Sequence, residues 1–261
     1  MGSRRRQLLV SEVDAMSVPL RQVEPTPPLG SVEGKGAIPP LESGDRLSRD
    51  EFERRYDAMP GLKKAELIAG VVQVPSPVRQ RDHSGPHFNI VGWLFLYRAR
   101  TPGVEGGDNA SVRLDLGSMP QPDCLLFVSP EYGGRVTIDE DGYVKGAPDL
   151  VAEVAASSAS YDLHDKLRAY QNNGVREYIV WRVIDRRIDW FVLRDGYYQR
   201  LSPAEDGTLR STIFPGLWLD PAALLSDNFD TLLEVLQRGL DSPEHTEFRA
   251  YLQRTRAKPV G

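Results

Sequence analysis

Cysteine, long apolar runs and excess positive charge are scarce in this sequence. Cys124 is the only cysteine among 261 residues, which excludes an internal disulfide and any cysteine-rich zinc site and fits a reducing compartment. No apolar run approaches the ~18 residues of a membrane span, and the first residues lack the apolar core of a signal peptide. These absences predict a cytoplasmic globular protein that is stabilised by core packing.

The net charge of −5 is unfavourable for binding nucleic acid through a broad basic face, because lysine and arginine dominate that affinity. It does not exclude a site built from carboxylates, since a bound cation inverts the local charge there. The net charge therefore argues against a broad basic binding face, but it does not exclude nucleic acid as a partner.

Composition divides the chain into three segments. Residues 1–45 are rich in proline and glycine and have no apolar period, which predicts a disordered leader. Residues 46–225 carry alternating strand and helix patterns and predict one α/β domain. Residues 226–261 place leucines at helical spacing and predict a helical extension.

The second half of the domain has the most informative order of elements. The apolar segment DCLLFV predicts a strand covered on both faces, and PDLVAEV predicts its neighbour in the sheet. The helical segment DLHDKLRAYQNN then ends at Gly174 before the strand VREYIVW. Strand, helix and strand predict a parallel pair, and a hairpin at Asp195–Gly196 makes the sheet mixed.

Glu153 lies in the middle of PDLVAEV, where strand alternation places it on one face with Asp149 and Val151. A carboxylate among apolar neighbours is costly to bury unless it is paired or binds a metal. An ordinary salt bridge to arginine and a functional site are both consistent with this position.

Lys166 follows Leu163 by three residues and precedes Tyr170 by four, which places it on or beside the buried face of the next helix. That helix must pack back on the sheet that carries Glu153, so the two side chains can meet. The alternative is a lysine whose stem lies along the core while its ammonium reaches water.

Two further carboxylates and a histidine are weaker candidates. Asp123 begins the strand DCLLFV and could simply open it after a turn, and Glu66 could be an exposed strand-end charge. His83 and His87 are four residues apart, but the Ser-Gly-Pro between them is unfavourable for a helical zinc pair. His87 is the better functional candidate, and the alternative is that it is only the residue at which the next helix begins.

In order, these segments resemble the Uma-two family of nucleases in the PD-(D/E)XK restriction-endonuclease-like group. The resemblance covers about residues 46–225 and rests on ELIAGVV, His87, QPD, PDLVAEV, DLHDKLRAYQNNGVREYIVW and FPGLWLD. It implies a four-stranded mixed core sheet flanked by helices, and a nuclease that cuts DNA with Mg²⁺ or Mn²⁺ and works as a homodimer. The family's lysine lies on the helix after the strand, where Lys166 stands, and AASSAS replaces its usual serine-proline turn.

The resemblance implies an active site of Glu66, Asp123, Glu153 and Lys166. Carboxylate and carbonyl oxygens suit Mg²⁺ or Mn²⁺, so we expect Asp123, Glu153 and the Val154 carbonyl to hold the metal. Lys166 would orient or deprotonate the attacking water or stabilise the phosphorane.

Other roles and functions are also open at this point. Glu66 would complete the metal shell through water or bind a second ion, and His87 and Tyr170 are expected at the substrate. Two alternatives remain: a non-catalytic member of the same fold that binds nucleic acid or protein, and a phosphoesterase that acts on nucleotides.

Overall fold

The computed structural model describes residues 38–75, 80–156 and 158–256. Most of the predicted leader, residues 1–37, lies outside these ranges, and the three-segment division stays a prediction. The last part of the leader is described. Its Leu41 is buried, and the Gly44 N–H donates to the Val72 carbonyl at 2.9 Å. Contact with the folded chain therefore begins before residue 46.

The described residues form seven α-helices, thirteen strands and one 3₁₀ turn (Pro130–Tyr132). The helices are α1 (Arg49–Asp57), α2 (Gly85–Arg100), α3 (Ala159–Tyr161), α4 (Leu167–Asn173), α5 (Pro221–Leu225), α6 (Phe229–Leu240) and α7 (Pro243–Thr255). The strands are β1 (Glu66–Ile68), β2 (Val71–Gln73), β3 (Val104–Asp108), β4 (Val112–Arg113), β5 (Cys124–Val128), β6 (Thr137–Ile138), β7 (Val144–Lys145), β8 (Leu150–Ala155), β9 (Glu177–Arg182), β10 (Arg187–Arg194), β11 (Tyr197–Arg200), β12 (Leu209–Arg210) and β13 (Trp218–Leu219). Two π-helical turns, Gln80–Ser84 and Asp162–Lys166, lead into α2 and α4.

The main sheet has six strands in the order β11-β10-β9-β8-β5-β3. Only β8 and β9 run parallel, and the other neighbours are antiparallel. The predicted mixed α/β fold is confirmed, and β5 lies beside β8 as expected. The sheet has six strands, whereas the resemblance implies four. Edge strand β3 (VEGGD) is mostly exposed, so its sequence has no apolar pattern that predicts a strand.

The predicted crossover and hairpin are both confirmed. The chain passes from β8 through α3 and α4 to the parallel strand β9, and Gly174 ends α4 in the left-handed conformation with φ 78°. Asp195 and Gly196, with φ 51° and 83°, form the tight turn between β10 and β11, which suits the twist of a two-residue hairpin.

The two faces of the sheet are covered by different helices. On one face Leu126, Ala152 and Ile179 pack in a core with residues of α2, α6 and α7. On the other face Val151 and Tyr178 pack with Tyr170 of α4. The C-terminal helices therefore share the core of the sheet. Within the described residues, every helix is too short or too polar to cross a membrane.

A third, smaller core places the first strand pair near the main sheet. The N-cap of α1 is Ser48, whose Oγ accepts from the Glu51 N–H at 3.4 Å, a contact that serine side chains commonly make at helix N-termini. Phe52 of α1 packs with Leu67 of β1 and Met119, and Leu67 also bridges to Met119 by backbone hydrogen bonds. This contact brings β1 next to the segment that leads into β5.

His245 of α7 is buried between Thr101 Oγ1, 2.9 Å from its Nε2, and the Leu240 carbonyl, 2.8 Å from its Nδ1. Burial lowers its pKa, although the carbonyl opposes this shift. Protonation therefore favours the unfolded chain. We expect the free energy of unfolding to fall as pH drops below about 6.5, the ordinary histidine pKa.

Urea unfolding at several pH values measures this effect, with His245→Gln as the control. The variant is expected to lose stability less steeply between neutral and mildly acidic pH than the parent. An equal slope in both proteins would contradict the assignment.

Candidate active site

Glu153 lies on a strand that is buried along its whole length. All six residues of β8 are buried, and Glu153 is 2% exposed. Its Oε1 accepts from Lys166 Nζ at 2.9 Å and from the Tyr170 hydroxyl at 2.8 Å. The strand glutamate is therefore paired with the lysine of the following helix.

Lys166 is the last residue of the π-helical turn that precedes α4. Its Nζ lies 2.9 Å from Glu153 Oε1, 2.9 Å from Glu66 Oε1 and 3.8 Å from Asp162 Oδ1, and the residue is 3% exposed. Single π-helical turns inside helices occur frequently at functional sites. Here the turn brings a charged side chain onto the sheet-facing side of the helix.

Glu66 comes from outside the main sheet, at the start of β1. Its Oε1 also accepts from the Gln121 N–H at 2.8 Å, and the residue is buried. Because Leu67 bridges to Met119, β1 holds Glu66 against the chain just before Asp123. Three separate segments thus meet at Lys166.

Asp123, directly before β5, has both carboxylate oxygens engaged. Oδ2 accepts from the Val154 N–H at 2.8 Å and lies 3.2 Å from His83 Nε2, and Oδ1 lies 3.3 Å from Lys64 Nζ. The Asp123 carbonyl lies 3.0 Å from His87 Nε2. The aspartate is buried and tied to β8 through Val154.

Charge at this site is unevenly compensated. Burial raises the pKa of Glu153, and the Lys166 ammonium opposes this shift. The nearby carboxylates of Asp123, Asp162 and Glu66 raise the pKa further. Burial alone would lower the pKa of Lys166, but the carboxylates of Glu153, Glu66 and Asp162 raise it well above its ordinary value. Lys166 therefore stays protonated while the acidic groups around it are in excess.

The carboxyl group of Asp123 behaves differently. Burial would raise its pKa, but the His83 and Lys64 side chains and the Val154 N–H together hold the pKa well below its usual range. Asp123 is thus held as an anion, whereas burial disfavours the charged form of Glu153.

The structure brings together all four residues that the resemblance implies. The Val154 N–H donates to Asp123, and His87, which contacts the Asp123 carbonyl, also lies 2.9 Å from Asp108. Tyr170, expected at the substrate, is fully buried and donates from its hydroxyl to Glu153, and its substrate role stays a prediction.

Three neighbours of the site were not predicted from the sequence. Lys64 precedes Glu66 by two residues and Asp162 precedes Lys166 by four, so their spacing could have suggested them. His83 was set aside with its zinc pattern, yet its ring lies 5.7 Å from that of His87. The expectation that Ser-Gly-Pro prevents a helix here is wrong, because the π-helical turn Gln80–Ser84 leads directly into α2. This turn brings the two histidine rings close together.

A hydrated divalent cation fits the donor chemistry of these residues. Across the described ranges, no three acidic, histidine or cysteine side chains are grouped as a ready metal cage. Magnesium, however, commonly uses only one or two carboxylates together with waters. Gln121 donates from Nε2 to the Asn109 carbonyl at 2.8 Å, and its buried Oε1 has no partner among the described residues. The backbone N–H of the same residue donates to Glu66, so this acceptor belongs to a residue that contacts the acidic cluster. An acceptor without a donor suits a cation with bound water.

Comparisons with known proteins bear on the family and the fold of this chain. No curated protein matches the sequence. A solved structure described as a "putative nuclease belonging to DUF820" from Anabaena variabilis ATCC 29413 matches with a TM-score of 0.52 and 15% identity over 69% of this chain and 98% of that chain, which shows the shared fold. The family model Uma2, described as "putative restriction endonuclease", matches residues 49–222. This match spans well over half of the sequence, so the chain belongs to the Uma2 family.

Proposed function

We propose that this protein is a metal-dependent nuclease that hydrolyses phosphodiester bonds, with DNA as its substrate. The observation that carries the proposal is the buried Lys166 ammonium, 2.9 Å from both Glu153 and Glu66. A buried ion cluster is weak evidence for stability, because desolvation can exceed the Coulombic gain. Strongly perturbed charges of this kind concentrate at functional sites, and the family match supports a nuclease.

Asp123, Glu153 and the Val154 carbonyl are the residues that we propose as metal ligands. In an antiparallel pair the N–H and C=O of one residue face the same neighbouring strand, so the Val154 carbonyl lies on the Asp123 side of β8. A bound Mg²⁺ or Mn²⁺ would neutralise charge on the phosphate and acidify an attacking water.

Lys166 acts as a fixed cation in this proposal. Because its pKa is raised well above the ordinary value, it is unsuited to take a proton from water. It can donate hydrogen bonds to the phosphate as negative charge develops there, or orient the attacking water. Glu66 and Asp162 hold the ammonium in position, and the Tyr170 hydroxyl fixes Glu153.

Lys64, His83 and His87 form the more open side of the site. Their side chains are 26%, 21% and 17% exposed, whereas those of Glu153 and Lys166 are 3% and 4% exposed. A phosphate that approaches Asp123 would meet these nitrogen donors first. We propose that Lys64 and His87 contact the substrate phosphate and that His83 orients Asp123.

The direct test is a cleavage assay with single-stranded, duplex and structured DNA, RNA and nucleotide esters, in Mg²⁺, in Mn²⁺ and in EDTA. DNA is expected to be cut only when a divalent ion is present. Asp165→Asn provides a matched control, because this acid is exposed on the same π-helical turn and should leave the rate unchanged. Metal-independent cleavage, or cleavage of nucleotide esters alone, would contradict the proposal.

Calorimetric titration with Mn²⁺ separates this enzyme from a non-catalytic relative of the same fold. Heat on titration that disappears in Asp123→Asn supports the metal site. No heat from folded protein would favour the non-catalytic alternative. The homodimer and the cytoplasmic location stay predictions, and sedimentation equilibrium tests the first of them.

A further inference from the structure

A second charged cluster surrounds Asp189 on strand β10. This aspartate is completely buried. Its Oδ1 accepts from Arg187 Nε at 2.8 Å and from Arg200 Nη1, and its Oδ2 accepts from Arg182 Nη1 at 3.5 Å. One carboxylate thus holds three guanidinium groups, which we name the arginine cluster (Arg182, Arg187 and Arg200).

The arginine cluster keeps binding capacity after Asp189 is satisfied. The side chains of Arg187 and Arg200 are 51% and 47% exposed. Each uses one of its five N–H donors on Asp189, and no other hydrogen bond engages either guanidinium within the part of the chain described. Arg182 is less available, because it also pairs with Asp185. Two half-exposed cations therefore share a single carboxylate oxygen.

Strand register places the cluster beside the proposed active site. Glu153 pairs with Val180, and Val180 pairs with Asp189, so Glu153 and Asp189 lie in one row on the same face of the sheet. Two strand spacings separate them by about 10 Å. Arg182 and Arg187 pair with each other, and Arg182 also pairs with Ala155, which puts them next to the end of β8.

We propose that the arginine cluster binds backbone phosphates of the nucleic acid that flank the bond to be cut. This inference rests on the proposed nuclease function and adds where the substrate lies. Guanidinium forks match phosphate geometry, and Asp189 holds them in place before substrate arrives. Contacts of this type position the backbone without reading sequence. The chain as a whole carries a net charge of −5. A local positive surface therefore attracts a polyanion to this part of the protein in preference to the rest.

Binding without turnover tests the inference. The affinity of full-length protein for a fluorescein-labelled DNA, as duplex and as single strand, is measured by anisotropy in EDTA over a series of salt concentrations. Arg187→Gln and Arg200→Gln are each expected to weaken binding and to reduce the salt slope by about one, because each lost phosphate contact releases one counterion fewer.

Loss of folding is controlled by a variant that removes the buried charge together with its partners. Asp189→Asn combined with Arg187→Gln and Arg200→Gln leaves no unpaired carboxylate and should reduce the salt slope by about two. Arg249→Gln with Arg254→Gln is the matched control, because both arginines are exposed on α7, whose Leu252 packs into the core on the opposite face of the sheet. This control should keep the parental slope.

The outcomes separate this inference from the proposed nuclease. An unchanged slope in the cluster variants, or an equal loss in the α7 control, overturns the arginine cluster as a binding surface even if the protein cuts DNA. A selective loss of binding in the cluster variants supports the surface even if no cleavage is found.

Discussion

Glu153→Gln is expected to lower the rate of DNA cleavage on the order of 10²–10³-fold or more, the usual loss when one preorganised electrostatic group is removed. The same change should leave thermal stability unchanged or raise it. Burial already favours the uncharged form of Glu153, and a glutamine oxygen can still accept from Lys166 and Tyr170. Loss of activity without loss of stability would distinguish a functional carboxylate from a structural one.

Single-turnover kinetics and a thermal melt on the same sample measure both effects. Glu177→Gln is an instructive comparison, because Glu177 is also a buried strand glutamate but accepts from Ser211 and Thr212, away from Lys166. That variant should lose stability, because both Glu177 oxygens accept hydrogen bonds and the amide nitrogen of glutamine cannot accept one, and it should keep its intrinsic rate. An active Glu153→Gln protein would remove Glu153 from the proposed mechanism.

Lys166→Met should lose both activity and stability. The ammonium is the nearest cation to Glu153 and Glu66 and also lies near Asp162, so its removal leaves buried carboxylates without their partner. Breaking a buried ion pair on one side typically costs about 3–5 kcal/mol of unfolding free energy. Urea unfolding near neutral pH measures the loss, and it should shrink at acidic pH as the carboxylates take up protons.

A second substitution separates folding from catalysis in this variant. Lys166→Met combined with Glu153→Gln removes both members of the closest pair and should recover part of the lost stability, because neighbouring groups are not additive. It should not recover cleavage. A double variant as unstable as Lys166→Met alone would show that the Lys166–Glu153 contact is not what stabilises this region.

Much of the fold follows from local patterns. The crossover between β8 and β9, the Gly174 helix end and the Asp195–Gly196 turn were each predicted, because helix and strand periods and glycine conformations depend on neighbouring residues. Short or exposed strands escaped prediction. The alternating residues of SVRLDL are typical of a longer strand, yet only Val112–Arg113 forms one. Strands β6 and β7 are two residues long, and so short a strand carries no measurable period.

The sequence by itself determined the mixed α/β architecture, the buried position of Glu153 and the inward face that carries Lys166. Only the tertiary structure decided that Lys64 and His83 meet Asp123, that Tyr170 turns to Glu153, and that Asp189 gathers three arginines in the row of Glu153. Alternation and helical spacing act over a few residues. Most of these contacts join residues that are 7 to 59 positions distant in the sequence, and only Arg187 is close to its partner, two residues from Asp189. Strand pairing and helix packing, which depend on the whole core, set which of these distant side chains share one site.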